Sequence, residues 1–209
     1  MKIAAITLAL GCMLCGCGAK NQSDGAQMAL NFRQRLLAGT CSFQAALRAE
    51  YEDTVSCFAV TCTHSAEAGT SMTIVEPETL AGITAQVTGK EAKIVFEDTQ
   101  AAFGSIQGLG ASPMTAPQLL ANAWEAGYIA LTGMEDDMLR VTYLLGYDEE
   151  ELTVDTWFLA GGPVHAEISS DGQKIIDAAI TDFTIQEAVA EHENTQTDLG
   201  GYLAGQSGT

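Results

Sequence analysis

"CSFQAALRAEYEDTVSCFAVTCTH", residues 41–64, alternates apolar and polar side chains over a length that suits two strands. Phe43, Ala45, Leu47, Ala49 and Tyr51 interleave with Ser42, Gln44, Ala46, Arg48 and Glu50, which is the period of a strand with one dry face. A turn near Glu52-Asp53 sends the chain back as a second strand from Val55 to His64. With two residues in the turn, Phe43 faces Cys62 and Leu47 faces Phe58. The apolar odd positions of the first strand then meet Phe58, Val60 and Cys62 on the second, so the dry faces coincide and the register is self-consistent.

The same parity sorts three thiols. Cys41 and Cys62 share the dry face as diagonal neighbours, or face each other if the turn shifts by one residue per strand, whereas Cys57 points to the opposite side. A Cys41 to Cys62 disulfide is therefore possible, and a Cys57 bridge inside this hairpin is not. The other reading leaves the buried thiols free, acting as small hydrophobes.

Outward from the hairpin, turn signals separate further strands: Thr70 to Glu76 ends at Pro77, and Ile83 to Val87 and Ala92 to Phe96 flank Gly89-Lys90. Gly104, Gly108 and Gly110 read as a loose loop before Pro113. Pro117 opens a helix over Gln118 to Ala126, with Leu119, Leu120, Ala123 and Trp124 along one side and Gly127 to stop it. Strands resume at Tyr128. Leu139, Val141, Tyr143, Leu145 and Tyr147 alternate, as do Leu152, Val154, Thr156 and Phe158; turns at Gly161-Gly162 and Asp171-Gly172 lead to a final strand from Lys174 to Ile185. Many short meandering strands and few helices predict one large antiparallel sheet in a single domain.

Upstream, Ala29, Phe32, Leu36 and Leu37 form a stripe on a helix expected over Ala26 to Ala38, with Arg33 and Arg35 toward water. The stripe reads as a core-packing face or as a lid. Before it stand Met1-Lys2, an apolar segment from Ile3 to Leu14 that is too short to span a bilayer, and then Leu14-Cys15-Gly16-Cys17. This order resembles a bacterial lipoprotein signal, and Cys12 and Cys15 are poorer candidates for the modified position. The resemblance implies cleavage after Gly16, a diacylglyceryl thioether on Cys17 and palmitate-type acylation that anchors the chain to the cell membrane on its extracytoplasmic face. Two or more acyl chains give a stable anchor, each buried methylene contributing about 0.8 kcal/mol. Residues 1–16 are thus read as signal peptide, 17–25 as tether, 26–185 as the folded domain and 186–209 as an acidic tail expected not to order.

The formal net charge is −18, with 9 basic against 27 acidic residues, and Lys2 departs with the signal. Nucleic acid is excluded as a partner, because phosphate binding needs a positive surface.

"VEPETLAGITAQV" (75–87), "GLGASPMTAPQLLANAWEAG" (108–127) and "PVHAEISSDGQKIIDAAITDF" (163–183) together resemble a set of uncharacterised clostridial lipoproteins, of the Firmicutes, similar in fold to the lipoprotein carrier LolA and the lipid carrier LppX. The likeness runs from about residue 42 to 185. It implies an α+β fold: a strongly curved antiparallel sheet, a half-open β-barrel, with helices covering its concave face. It also implies an apolar cavity for an acyl chain, lined loosely by Phe43, Leu47, Phe58, Val60, Leu120 and Trp124. Carriers that shuttle are soluble, and a Cys17 tether departs from that pattern.

Catalytic patterns are sparse, and no cofactor motif is present. Cys62 and His64 share a strand face, but further metal ligands are not visible and structural zinc takes four. His165 and Glu167 also share a face, as an acid–base pair or as a cross-strand polar pair without a nucleophile. The acidic run Asp148 to Glu151 lacks the spacing of a calcium loop. Two functions of different classes follow, neither enzymatic. One is a tethered binding module for a lipid or another lipoprotein's acyl chain. The other is an envelope interaction protein, for example in sporulation or germination, whose cavity is filled by its own side chains.

Overall fold

The computed structural model describes residues 18–51, 54–89, 91–96, 99–105, 112–146 and 151–187. Cys17 and the segment 1–16 expected to be a signal, the turn at Glu52-Asp53, the acidic run from Asp148 to Glu150 and the residues from 188 onward lie outside the described residues. The elements are α1 (Gly18–Leu37), β1 (Gly39–Tyr51), β2 (Thr54–Ser65), β3 (Gly69–Glu76), a short 3₁₀ turn at Glu78–Leu80, β4 (Thr84–Thr88), β5 (Glu91–Phe96), β6 (Thr99–Ser105), α2 (Ala116–Ala126), β7 (Tyr128–Glu135), β8 (Met138–Leu145), β9 (Leu152–Leu159), β10 (Gly162–Ser170) and β11 (Gln173–Glu187). All the strands form one antiparallel sheet in the order β6-β5-β4-β3-β2-β1-β11-β10-β9-β8-β7. β6 and β7 do not pair, so the sheet is open.

The β1–β2 register is the one the alternation predicts: Phe43 opposes Cys62 and Leu47 opposes Phe58. Cys41, Phe43, Ala45, Leu47 and Ala49 are all buried, and the intervening positions are not. Burying that row holds β1 between β2 and β11, because a slip of one residue would turn every apolar side chain to water.

The sequence reading needs correction at several places. α1 starts at Gly18 rather than Ala26, so the stretch expected to be a tether is helical; Ala19, Lys20 and Gln22 are good helix formers. Gly25 marks a crossing, because a Cβ there would stand 2.9 Å from Thr132 Oγ1 on β7. Leu37 is 50% exposed, since it lies one helical step round from the buried stripe of Ala29, Phe32 and Leu36. Gly104 belongs to β6, not to a loop. The β9–β10 turn centres on Ala160-Gly161, both at positive φ, which is the hairpin geometry that matches strand twist. β11 runs to Glu187, past the expected start of the tail.

β11 also contains a break in its alternation. Ile176, Ala178 and Ile180 point into the core, and the register against β1 then shifts between Ser42 and Gln44, opposite Thr184 and Thr181. Asp182 has φ 52° there. The extra residue is a β-bulge, which returns the odd-numbered Phe183 to the core side. Phe183 meets Phe32, Phe43 and Trp124 at ring-centroid distances of 5.7, 6.1 and 6.0 Å.

α2 lies between strands that are remote in the sheet. It touches both β3 and β8, which are six pairings apart in the strand order. At about 4.8 Å per pairing a flat sheet would hold them roughly 29 Å apart. α2 itself is only about 16 Å long at its rise per residue.

Replacing Trp124 with Ala should cost about 3–5 kcal/mol of unfolding free energy in urea titration, as expected for a buried aromatic side chain. Trp124→Phe, which keeps a ring but loses the indole N–H, should cost visibly less.

Candidate functional site

Five of the six residues expected to line an apolar cavity are fully packed. Phe43, Leu47, Val60, Leu120 and Trp124 are exposed by 3%, 2%, 2%, 0% and 0%, and Phe58 is half-buried against the same cluster. The structure brings them together as core. The Trp124 ring meets Phe43 and Phe32 edge-on at 5.7 and 6.1 Å. Its indole N–H donates to Thr156 Oγ1 on β9 at 3.1 Å, which satisfies the one polar atom of a buried ring. Four of these, Phe43, Val60, Leu120 and Trp124, line none of the hollows described below. Leu47 and Phe58 also border a hollow of about 210 Å³ at the outer end of the β1–β2 hairpin.

Polar contacts seat α2, and the sequence reading anticipated none of them. Arg33, expected to reach water, turns inward: Nε donates to the carbonyl of Trp124 at 2.9 Å, and Nη2 to that of Gly127 at 2.6 Å. Those carbonyls lie at the α2 C-terminus, where helical partners run out and a cation is favoured. On β2, His64 is buried. Its Nδ1 lies 2.8 Å from Thr70 Oγ1, and its Nε2 lies 2.8 Å from Glu125 Oε1 of α2, without the alignment of a hydrogen bond. His64 thus joins hairpin to helix, rather than pairing with Cys62 as a ligand. Only its place on the dry face of β2 was legible in the sequence.

Cys41, Cys57 and Cys62 are free thiols, the first and last buried and Cys57 exposed. In the register that forms, Cys41 opposes His64 and Cys62 opposes Phe43, so the two buried thiols stand diagonally. Diagonal neighbours in a sheet lie about 7–8 Å apart, beyond ordinary disulfide reach. Burial, and secondarily the Glu125 carboxylate, push the Cys41 thiol from 9.0 up to about 12. Burial, with Cys41 adding, pushes Cys62 up as well, and burial does the same to the Tyr143 phenol.

The open space lies elsewhere. Between α1 and the β7–β9 end of the sheet runs a groove of about 360 Å³, lined by Met28, Ala29 and Phe32 of α1, Met134, Leu139, Phe158 and Leu159 of the strands, and the Ala160-Gly161 turn. Phe32 and Phe158, 4.9 Å apart and edge-on, make its floor. Met28, Met134 and Leu159 are exposed along it, and Asn31, Arg35 and Asp137 supply its polar groups. Flexible thioethers around an aromatic floor suit a ligand that is apolar and variable in shape. The groove uses none of the six expected residues. Met28 belongs to the helix whose stripe the sequence reading took as a core-packing face or a lid, though not to that stripe, and Met134 to a strand it left undetailed.

Among the described residues no helix is long and apolar enough to cross a membrane. No family model matches the chain, and no curated protein matches it. It is similar to the solved structures of a LolA superfamily protein from Nitrosomonas europaea (10% identity, TM-score 0.47, covering 78% of this chain and 94% of that one), of LprF from Mycobacterium bovis (12%, TM-score 0.42, covering 80% and 98%) and of the lipoprotein LppX from Mycobacterium tuberculosis (16%, TM-score 0.33, covering 77% and 93%). The likeness is one of fold, and no residue of the groove or of the thiol cluster is carried by it.

Cys57 should alkylate in the native chain within minutes, and Cys41 and Cys62 only after unfolding, as read by mass spectrometry. An unfolded Cys41 loses its proton above about pH 9 while the folded one retains it. Stability is therefore undiminished below pH 9 and falls as pH rises toward 12. Cys41→Ala should make that alkaline fall shallower in denaturation curves taken from pH 8 to 11.

Proposed function

We propose that this chain is a lipoprotein, anchored through acylated Cys17 on the extracytoplasmic face of the cell membrane, that binds a single acyl chain of a lipid or of another lipoprotein. On this reading the sheet bends into a half-open barrel with the helices over its concave face, as the contacts of α2 with both β3 and β8 support. The binding place is the groove beside α1 and not the surface under α2. One observation carries the choice: the groove is open, apolar and about 360 Å³, near the lower end for small-ligand pockets, whereas the central lining is already occupied by Trp124 and its neighbours. The role is binding rather than catalysis. Membership of the clostridial lipoprotein set belongs to the same proposal.

A second reading has its own support. The filled central face fits an envelope interaction protein whose barrel serves only as a scaffold.

Titration of the full chain with a dansyl-labelled undecanoic acid separates the two. Carriage predicts saturable binding that weakens at least tenfold when Met28→Asp and Leu159→Asp place charge in the groove, with far-UV circular dichroism unchanged. Absence of saturable binding would favour the scaffold reading, and loss only on substitution of Leu120 would move the site back under α2. Independently, labelled palmitate should enter the wild-type chain and not Cys17→Ala.

A further inference from the structure

The face of β10 and β11 turned away from the core carries a cluster that neither the groove nor the packing uses. Ala166, Ile168, Ile176 and Ala178 point inward, so His165, Glu167 and Asp177 point outward. The register sets Glu167 directly opposite Asp177. Like charges in that relation repel, in a chain that is already strongly acidic, unless a cation stands between them. Lys174 supplies one, with Nζ 2.9 Å from Glu167 Oε1 and 3.2 Å from Asp177 Oδ2.

A lysine counter-ion accounts for the two carboxylates but not for the imidazole beside them. His165 Nε2 lies 3.6 Å from Glu167 Oε1 and 3.7 Å from Asp177 Oδ2, and all three ligand atoms lie within 4.8 Å of one another. A tetrahedral ion with bonds of about 2.0–2.2 Å sets ligand–ligand edges of roughly 3.3–3.6 Å, so the two edges to His165 are near that size before any ion arrives. The donors sit on paired strands, which hold ligand geometry better than loops do. The imidazole is backed by Trp157, 4.9 Å away between ring centroids. Trp157 in turn donates its indole N–H to Glu135 Oε2 at 3.2 Å and lies beneath the Arg140 guanidinium, which is bound at both ends to Asp155. The outer side stays open, with the three side chains 27–33% exposed.

We propose that His165, Glu167 and Asp177 form a site for one divalent ion of the zinc class, with three protein ligands, an open fourth position for water, and the Lys174 ammonium as occupant when no metal is bound. One nitrogen and two oxygens suit zinc or cobalt(II). Calcium takes six to eight oxygens and magnesium a near-ideal octahedron, and this set supplies neither.

Calorimetric titration of the full chain with zinc chloride tests it. The expected result is one ion per chain at micromolar affinity, weakened at least tenfold by His165→Ala and by Glu167→Gln and tightened about tenfold by Lys174→Ala, which removes the competing cation. Calcium should give no saturable heat at the same concentrations, and cobalt(II) should give the visible absorption of a tetrahedral site in the wild type but not in His165→Ala. Should His165→Ala fail to fold, by far-UV circular dichroism, Glu167→Gln and Lys174→Ala still decide. Zinc binding weaker than millimolar would overturn the proposal. So would affinity unchanged by these substitutions, which would place the metal on other groups such as Cys57.

Discussion

A single buried indole joins the two halves of this sheet. Trp124 touches Phe43 of β1 and Phe183 of β11, gives its N–H to Thr156 of β9, and meets Phe32 of α1. An open sheet of 11 strands has one long apolar face, and among the described residues no second sheet packs on it. Burial of that face is the largest favourable term available, at about 25 cal/mol per Å². α2 presents one large side chain where strands from both halves of the sheet meet, and α1 makes contacts with β7 and β8.

The polar contacts follow from that arrangement. Seating α2 takes its C-terminal carbonyls out of water, and the Arg33 guanidinium on α1 answers them. On β2, buried His64 bridges Thr70 and Glu125. Between α1 and the β7–β9 strand ends the groove remains open. On the proposed reading, the ligand occupies the place where this chain's own side chains stop filling the face, and its volume sets the width of the ligand.

Much of this was legible in the sequence because alternation has only one solution when a face must be dry. The β1–β2 register, the α2 boundaries near Pro117 and Gly127, and the shared face of Leu139, Val141 and Tyr143, as of Val154, Thr156 and Phe158, all follow from period and turn residues. The bulge at Asp182 was not legible, since nothing in "AAITDFTI" distinguishes an extra residue from a normal one. Unbroken alternation from Ile176, Ala178 and Ile180 would turn Phe183 outward, and the bulge turns it to the core instead. Nor could period alone show that Arg33 would find carbonyls 91 and 94 residues away, or that the apolar residues expected to line a cavity would fill it. Side-chain period gives a face; whether that face is packed or hollow depends on which other element lands on it.

Nuclear Overhauser contacts from the Trp124 indole of the full chain test the central claim most directly. The account predicts contacts from the same ring to Phe43 on β1 and to the Thr156 methyl on β9, together with slow exchange of the indole proton. Contacts to one strand set alone, with an indole proton that exchanges freely with water, would contradict it.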